Sequence, residues 1–411
     1  MQQAATERPH AIALQHAGSC LNFAELLDDA KQLAAQLASR PGPIIEAGDS
    51  LHLARHAYAC SFQNWPFFPV DREKPLPEIN QPLSDVALII ATSGSEGNPR
   101  PVLLGNAQLD AAATASNACL PLHPGDLWLN CLPLYHIGGQ SILWRCARAG
   151  ATVLLHDGFD AAQVAADLAA QPVTHISLVP AMLARLLDLG TRPPASLRVA
   201  LIGGAALSQS LYDKAVATGW PLFPSYGMSE TAAQFATFDP ADGAWHPGLV
   251  GRPMPGHDIR IGDDGRIRVR GPQIMRSYLD GSGIDANGWL TTGDLGQIDA
   301  AGRLTILGRA DDMLISGGSN VHPQAIESCL AACPGVLDVA VTGQPDPVWG
   351  DLIVALVVGP VAPGDLLAHA RRHLLSAALP RRIHAVERLP RNATGKPERA
   401  ALKQLAAGAA P

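Results

Sequence analysis

Six short apolar runs recur along the chain with helical stretches between them: Val86 to Ala91, Leu127 to Leu132, Ala151 to Leu155, His175 to Val179, Val199 to Ile202 and Pro221 to Pro224. Each is strand-length and bounded by turn-forming residues, and strands that alternate with helices specify an α/β fold. The segment from Asn22 to Arg40 spaces Phe23, Leu26, Leu27, Ala30, Leu33, Ala34 and Leu37 by threes and fours, which predicts an amphipathic helix packed on a sheet. Of the 411 residues, 47% are hydrophobic and 16% charged, enough aliphatic material for buried sheets and too little charge for disorder. At roughly 150 residues per domain this length predicts two or three structural units.

From Asp258 the pattern changes. In DIRIGDDGRIRVRG, Ile259, Ile261, Ile267 and Val269 alternate with polar residues around an Asp-Asp-Gly turn, the signature of a hairpin and of a small β subdomain. After LTILGRADDM comes the glycine-rich SGGSN, then the helix start HPQAIESCLAAC and two strand-like runs, LDVAVTG and DLIVALVVG. These features place a domain boundary near Asp311, giving a large domain over 1–310 and a compact α+β unit over 311–411, with the tail KQLAAGAAP expected to fray.

The net charge of −7 argues against a phosphate-backbone partner. No window reaches the roughly 18 uncharged apolar residues of a membrane helix, and the N-terminus meets Glu7, Arg8 and Pro9 before any apolar run, so the chain reads as soluble, untargeted and cytoplasmic. The seven cysteines, at 20, 60, 119, 131, 146, 329 and 333, contain no C-x-x-C pair and read as reduced, mostly buried thiols.

The stretch with the most chemistry is LIIATSGSEGNPRPV, residues 88–102, where a buried strand runs straight into Thr92, Ser93, Gly94, Ser95, Glu96 and Gly97, followed by Arg100. Small hydroxyl residues and glycines let backbone amides approach an anion, and a nearby cation neutralises its charge, so the loop reads as a phosphate cradle. It is not a Walker A loop. The only Gly-Lys pair, Gly395-Lys396, is followed by proline. Alone, such a turn is as often an ordinary loop.

Further segments follow in order: LPLYHIGGQ (132–140), LIGGA (201–205), SYGMSETA (225–232), TTGDLG (291–296), GRADDMLISGGSNVHPQAIE (308–327) and LPRNATGKPER (389–399). That order, over nearly the whole chain, resembles the adenylate-forming superfamily of acyl-CoA synthetases, nonribosomal adenylation domains and luciferases. Within it, WLNCLPLYHIGGQSILWR and THISLVPAMLARLL look most like the o-succinylbenzoate-CoA ligase and aryl-CoA ligase families.

The resemblance implies a reaction in two halves. A carboxylate attacks the α-phosphate of ATP, giving an acyl adenylate and pyrophosphate; a thiol, usually of coenzyme A, then displaces AMP. It implies a phosphate loop of Thr92, Ser93, Gly94, Ser95 and Gly97 with Arg100 as its cation. Ser225, Tyr226, Gly227 and Met228 would line the adenine site beside Gly203, Gly204 and Ala205, with Tyr226 stacking on the base. Ser229 would touch the α-phosphate and Glu230 would hold Mg²⁺. Asp294 and Arg309 would bind the ribose, and Asp311 would be the hinge of a mobile C-terminal domain. That domain would deliver Lys396 for adenylation and then bring Gly317 and Gly318 to the thiol channel. His136, Ile137, Gln140, Val179 and Ala181, with Met228 and Ser229, would line the acid pocket, small and apolar enough for a flat aromatic acid.

Outside this series the same residues read blandly: Glu230 as a solvated surface charge, Asp294 as a turn residue, Lys396 as a mobile surface lysine, and His136 as a hydrogen-bonded core residue. Four positions depart from the family pattern. Glu96 brings negative charge to a polyphosphate loop, Arg100 stands for the usual lysine, Pro101 removes an amide, and Ser319 replaces a glutamate after the double glycine. Only sixteen residues separate the PFFPVDREKP segment from Thr92, where relatives carry another strand and helix. A trimmed sheet predicts an exposed edge, capped by a partner or closed by homodimerisation.

Amino-acid activation is disfavoured, since LPLYHIGGQ offers no aspartate for the amine. Transfer to a separate carrier protein stays open beside coenzyme A, as does a degenerate nucleotide-binding homologue without turnover. A hydrolase reading of Gly227-Met228-Ser229-Glu230-Thr231 fails, because G-x-S-x-G lacks its last glycine.

Overall fold

A computed structural model describes residues 1–40, 42–71, 79, 83–92, 100–391 and 397–408. Three sheets organise the chain. The largest has thirteen strands. One part of it is parallel, in the order Ile12–His16, Thr152–Leu155, Leu127–Asn130, His175–Leu178, Val199–Ile202 and Leu222–Met228. Four of these strands are buried along their whole length, as expected of strands covered on both faces.

The sheet then continues antiparallel through Ala233–Thr237, Leu249–Pro253, Leu304–Arg309, Leu290–Ile298, Arg266–Arg270 and Asp258–Ile261. The expected hairpin is present, with Ile259 opposite Val269 and Ile261 opposite Ile267. Its strands extend the large sheet rather than forming a separate one.

The second sheet runs Ser277–Tyr278, Pro101–Leu104, Leu88–Ala91, Phe67–Pro69 and Ile44–Glu46, the last at its edge. The third joins Ser319–Val321, Leu314–Ser316, Gly350–Val358 and Asp338–Asp346, with Arg382–Ala385 pairing alongside Gly350–Val358, and it has hydrophobic clusters of its own.

The predicted N-terminal helix is Phe23–Leu37. Asn22 caps it: the Glu25 N–H donates to Asn22 Oδ1 at 2.9 Å, and the Asn22 N–H donates to Glu25 Oε2 at 2.8 Å. Phe23, Leu26, Ala30, Ala34 and Leu37 are buried, whereas Leu27 and Leu33 lie on the flank, so the buried stripe is narrower than the apolar one.

The tail departs from expectation. Arg399–Gly408 is helical, because Leu402 and Ala406, one turn apart, bury fully against Ala340, Val354, Leu356 and Leu389. All seven cysteines are free thiols, and burial pushes those of Cys60 and Cys131 up to about 12. Among the described residues no helix is long and apolar enough to cross a membrane.

Candidate active site

The parallel strands His175–Leu178, Val199–Ile202 and Leu222–Met228 end side by side, the position where open α/β sheets bind ligands. Their ends supply Val179, then Gly203, Gly204 and Ala205, then Ser225 and Tyr226. The Gly203 N–H donates to the Leu178 carbonyl at 3.2 Å, and the Ser225 hydroxyl donates to the Ile202 carbonyl at 3.0 Å. A side chain has no place here. A Cβ on Gly203 would sit 3.0 Å from Ser225 Oγ, and Gly204, at φ +79°, would put one 3.2 Å from Val179 Cγ1. The result is a ledge of bare backbone.

Tyr226 leaves this ledge toward Leu290–Ile298. Its hydroxyl donates to Asp294 Oδ2 at 2.8 Å. Burial, reinforced by the Asp294 charge, raises the Tyr226 phenol well above its ordinary value, so it stays a donor. Asp294 lies opposite Arg309 in the antiparallel register, and Arg309 Nη1 is 3.5 Å from Asp294 Oδ1. The Asp294 N–H is held by Thr292 Oγ1 at 3.1 Å. Arg309 Nη2 also reaches Asp311 Oδ2 at 3.2 Å, and Arg266 approaches the other Asp311 oxygen at 3.7 Å. Asp311 is itself exposed.

Four residues beyond Tyr226, Glu230 sits in the 3₁₀ turn Ser229–Thr231 and belongs to a second array. The Tyr278 hydroxyl donates to Glu230 Oε1 at 2.7 Å. The Arg100 guanidinium lies over the Tyr278 ring, 3.6 Å from its centroid, and donates to Ser282 Oγ at 2.8 Å. Burial and the Glu230 carboxylate push the Tyr278 phenol up as well. Ser282, with its hydroxyl and N–H, lowers the neighbouring Asp280.

Arg100 is tied in turn to Thr92, whose N–H donates to the Arg100 carbonyl at 3.1 Å and whose Oγ1 accepts the Arg100 N–H at 3.2 Å. Thr92 and Arg100 are thus joined to each other, with Arg100 beside Tyr278 and, through it, Glu230. Ser93, Gly94, Ser95, Glu96 and Gly97 lie outside the described residues.

Lys396 also lies outside them, but both flanks of its segment are anchored. Arg391 makes a two-pronged contact with Asp338, at 2.6 and 3.0 Å, and bridges to Pro397. Arg399 reaches Asp312 at 3.0 Å, Glu327 at 3.1 Å and the Val341 carbonyl at 3.1 Å. Gly317 and Gly318, at φ +57° and +76°, form the turn between Leu314–Ser316 and Ser319–Val321. The Gly317 N–H donates to the Trp349 carbonyl at 2.9 Å, and a Cβ there would meet the indole at 3.1 Å.

The acid-pocket residues are less uniformly presented. His136 stands at the N-terminal boundary of the helix Ile137–Ala149, its ring 4.8 Å, centroid to centroid, from that of Tyr135. Ile137 is buried. Gln140 is entirely so, with its amide donated to the Leu134 carbonyl at 2.7 Å and its Oε1 without a hydrogen-bond partner. Val179 is half-buried and Ala181 exposed. Met228 and Ser229 are half-buried, and the Met228 N–H donates to Thr231 Oγ1 at 3.0 Å.

Sequence reasoning missed Tyr278, Ser282 and Arg399. Tyr278 carried one signal, an aromatic ahead of an Asp-Gly turn, but nothing in RSYLDG tied it to Glu230.

A glycine ledge at the carboxyl ends of parallel strands, an acid opposite an arginine beside a tyrosine, and a second carboxylate held by a tyrosine that carries an arginine define an α/β enzyme of the nucleotide-binding kind. Residues 43–279 match the AMP-binding enzyme family and residues 325–396 its C-terminal domain, and the chain belongs to this family. The 2-succinylbenzoate–CoA ligase of Bacillus subtilis (strain 168) is 37% identical over 339 residues, covering 78% of this chain and 69% of that protein. The one of Listeria monocytogenes serotype 4b (strain F2365) is 34% identical over 402 residues, 95% of this chain and 85% of its own. Among solved structures, o-succinylbenzoate CoA synthetase from Bacillus subtilis in complex with the acyl-adenylate intermediate OSB-AMP superposes with a TM-score of 0.87 at 30% identity, covering 98% of this chain and 97% of that one. The same enzyme with ATP and magnesium ion gives 0.84 at 30% identity, covering 98% of each chain.

Proposed function

We propose that this enzyme activates a carboxylic acid with ATP to an acyl adenylate and then transfers the acyl group to coenzyme A, and that the acid is aromatic, of the o-succinylbenzoate class. The observation that carries the proposal is the pair of arrays leaving one strand end, Tyr226–Asp294–Arg309 and Glu230–Tyr278–Arg100, which suit the nucleoside and the polyphosphate respectively. The relatives and structural neighbours support the choice of thiol and of acid.

In this reading Tyr226 and the 203–205 ledge take adenine, and Asp294 accepts hydrogen bonds from the ribose with Arg309 beside it. The 93–99 loop and Arg100 hold the β- and γ-phosphates. The substrate carboxylate forms its new bond to the α-phosphorus as the bond to pyrophosphate breaks; the thiol then adds to the acyl carbon and AMP leaves. Glu230 fits Mg²⁺, a hard ion that takes one or two carboxylates plus substrate phosphates, since Tyr278 engages only its Oε1. When bound, the ion neutralises charge on the polyphosphate. Tyr278 orients the Glu230 carboxylate, and Ser229 lies next to it for the α-phosphate.

Lys396 supplies a cation to the charge developing at the α-phosphate and carboxylate, a contribution of roughly 3 kcal/mol for a well-placed donor. The chain divides at Asp311 into 1–310 and 311–411. Asp311 makes exposed contacts to Arg309 and Arg266, of a kind that contributes little to stability. After the domain turns about it, Gly317 and Gly318 face the thiol channel.

The test is carboxylate-dependent ATP–pyrophosphate exchange across o-succinylbenzoate, benzoates, fatty acids and amino acids, with Lys396→Ala alongside. Exchange with an aromatic acid, abolished in Lys396→Ala and followed by coenzyme A thioester formation, is expected. Nucleotide binding with no exchange on any acid would overturn the reading.

A further inference from the structure

At the edge of the second sheet, four strands away from Tyr278, three metal-ligating side chains meet. Glu46 ends the edge strand Ile44–Glu46, and His52 and His56 lie one turn apart on the helix Ser50–Gln63. His52 Nε2 is 3.1 Å from Glu46 Oε2, and His56 Nε2 is 3.8 Å from Glu46 Oε1. One ligand atom from each of the three falls within 4.8 Å of the others.

The far nitrogen of His56 is held by the backbone. His56 Nδ1 is 2.8 Å from the His52 carbonyl, which can only accept, so Nδ1 carries the proton. That leaves Nε2 facing Glu46 Oε1 at 3.8 Å, beyond hydrogen-bond distance. A backbone carbonyl holding the far nitrogen of a histidine is also the usual support of a metal-bound imidazole.

His52 is placed with comparable care. Its N–H is capped by Asp49 Oδ1 at 2.8 Å, and its ring lies so close over Gly48 that a Cβ there would come within 2.7 Å of Cδ2. His52 is half-exposed whereas His56 and Glu46 are largely enclosed, which leaves a solvent side for a fourth ligand.

We propose that Glu46, His52 and His56 form a binding site for one divalent transition ion of the Zn²⁺ type, which clamps the helix Ser50–Gln63 onto the exposed edge strand of the second sheet. Two imidazoles and one carboxylate suit Zn²⁺ in tetrahedral geometry with a water, whereas Mg²⁺ and Ca²⁺ prefer oxygen ligands throughout. Without the ion, Arg40 neutralises the acid, its Nη1 lying 2.6 Å from Glu46 Oε1. Arg40 is thus the ion's competitor for that oxygen.

The experiment is calorimetric titration of the EDTA-treated full-length chain with Zn²⁺, paired with Co²⁺ absorption and with melting curves. The expected result is one ion per chain at micromolar affinity or tighter, a tetrahedral Co²⁺ spectrum, and a melting temperature raised by Zn²⁺ but not by Mg²⁺. His52→Ala, at a half-exposed ring, keeps the fold by circular dichroism, weakens the ion by at least about tenfold and cancels the thermal shift. Glu46→Gln repeats the loss by a second route, and Arg40→Gln tightens binding. Zn²⁺ affinity equal in the parent, His52→Ala and Glu46→Gln, or no micromolar binding at all, would overturn the proposal, whatever the ligase activity.

Discussion

Replacing Tyr278 by phenylalanine removes one oxygen and leaves the ring on which Arg100 rests. The lost contact is the 2.7 Å hydrogen bond to Glu230 Oε1, a neutral donor to a charged acceptor. Such bonds contribute about 1.5–3 kcal/mol, and at this half-buried position the lower end applies, about 1.5 kcal/mol or close to tenfold in an equilibrium. If the hydroxyl orients Glu230 for Mg²⁺, the loss falls on the metal. The Mg²⁺ concentration for half-maximal pyrophosphate exchange should rise by about tenfold, with the KM for the acid unchanged. Tyr278→Leu loses the guanidinium's platform as well, 3.6 Å below Arg100 and worth about 0.5–1 kcal/mol more, and should weaken ATP in addition. Exchange assays with Mg²⁺ and ATP varied separately distinguish the two variants. A Tyr278→Phe enzyme with the parent's Mg²⁺ dependence would refute the positioning role, and a Tyr278→Leu enzyme no worse than Tyr278→Phe would refute the part given to Arg100.

Burial pulls the His175 imidazole down to about 4, so the folded chain refuses a proton that the unfolded chain takes below about 6.5; stability falls as the pH drops from 6.5 to 4, by about 3 kcal/mol in all. Urea unfolding at a series of pH values should show this slope, and His175→Phe, keeping a ring against Trp128, should flatten it; an unchanged slope would assign the loss to other groups. Arg399→Met leaves Asp312 and Glu327 without their shared cation and the Val341 carbonyl without a donor, at a cost of about 2–3 kcal/mol after allowance for partial exposure. Thermal denaturation should record the loss in this variant, and an unshifted melting curve would show the cluster to be ornamental to stability.

What the sequence made legible follows from the range over which its signals act. The run Val199 to Ile202 is a strand with those limits, and His175 to Val179 loses one residue, because a strand buried on both faces is written as an uninterrupted apolar run. The hairpin at 258–270 declares itself through strict alternation and a local turn. The tail helix was missed because KQLAAGAAP shows only a few of its contacts; Leu402 packs where two earlier strands, Asp338–Asp346 and Gly350–Val358, have put Ala340 and Leu356. The site divides the same way. Tyr226, Asp294 and Arg309 are flagged by motif order, whereas the hydroxyl that holds Glu230 comes from 48 residues away and the partner of Arg100, Ser282, from 182. No local spacing can announce such pairs.

The two arrays share a single rigid origin. Between Tyr226 and Glu230 the strand slips register against Ala233–Thr237, and Gly227 lies so close to that neighbour that a Cβ would stand 1.9 Å from the Ala233 oxygen. The return of the chain is strained: Ala232 and Ala233 have φ +47° and +92°, a region that costs a residue with a side chain about 1–3 kcal/mol. Buried hydrogen bonds hold it there. The Thr231 hydroxyl is 2.7 Å from the Ala233 carbonyl and 3.0 Å from the Met228 nitrogen, and the Gln273 amide donates to the Thr231 and Gln234 carbonyls. Glycine at 232 or 233 would relieve the strain and widen the conformations open to the turn. The Glu230 carboxylate is thereby set at a fixed offset from the Tyr226 ring, so that in the proposed reading the positional cost of aligning both groups with a nucleotide is met in folding rather than at the moment of reaction.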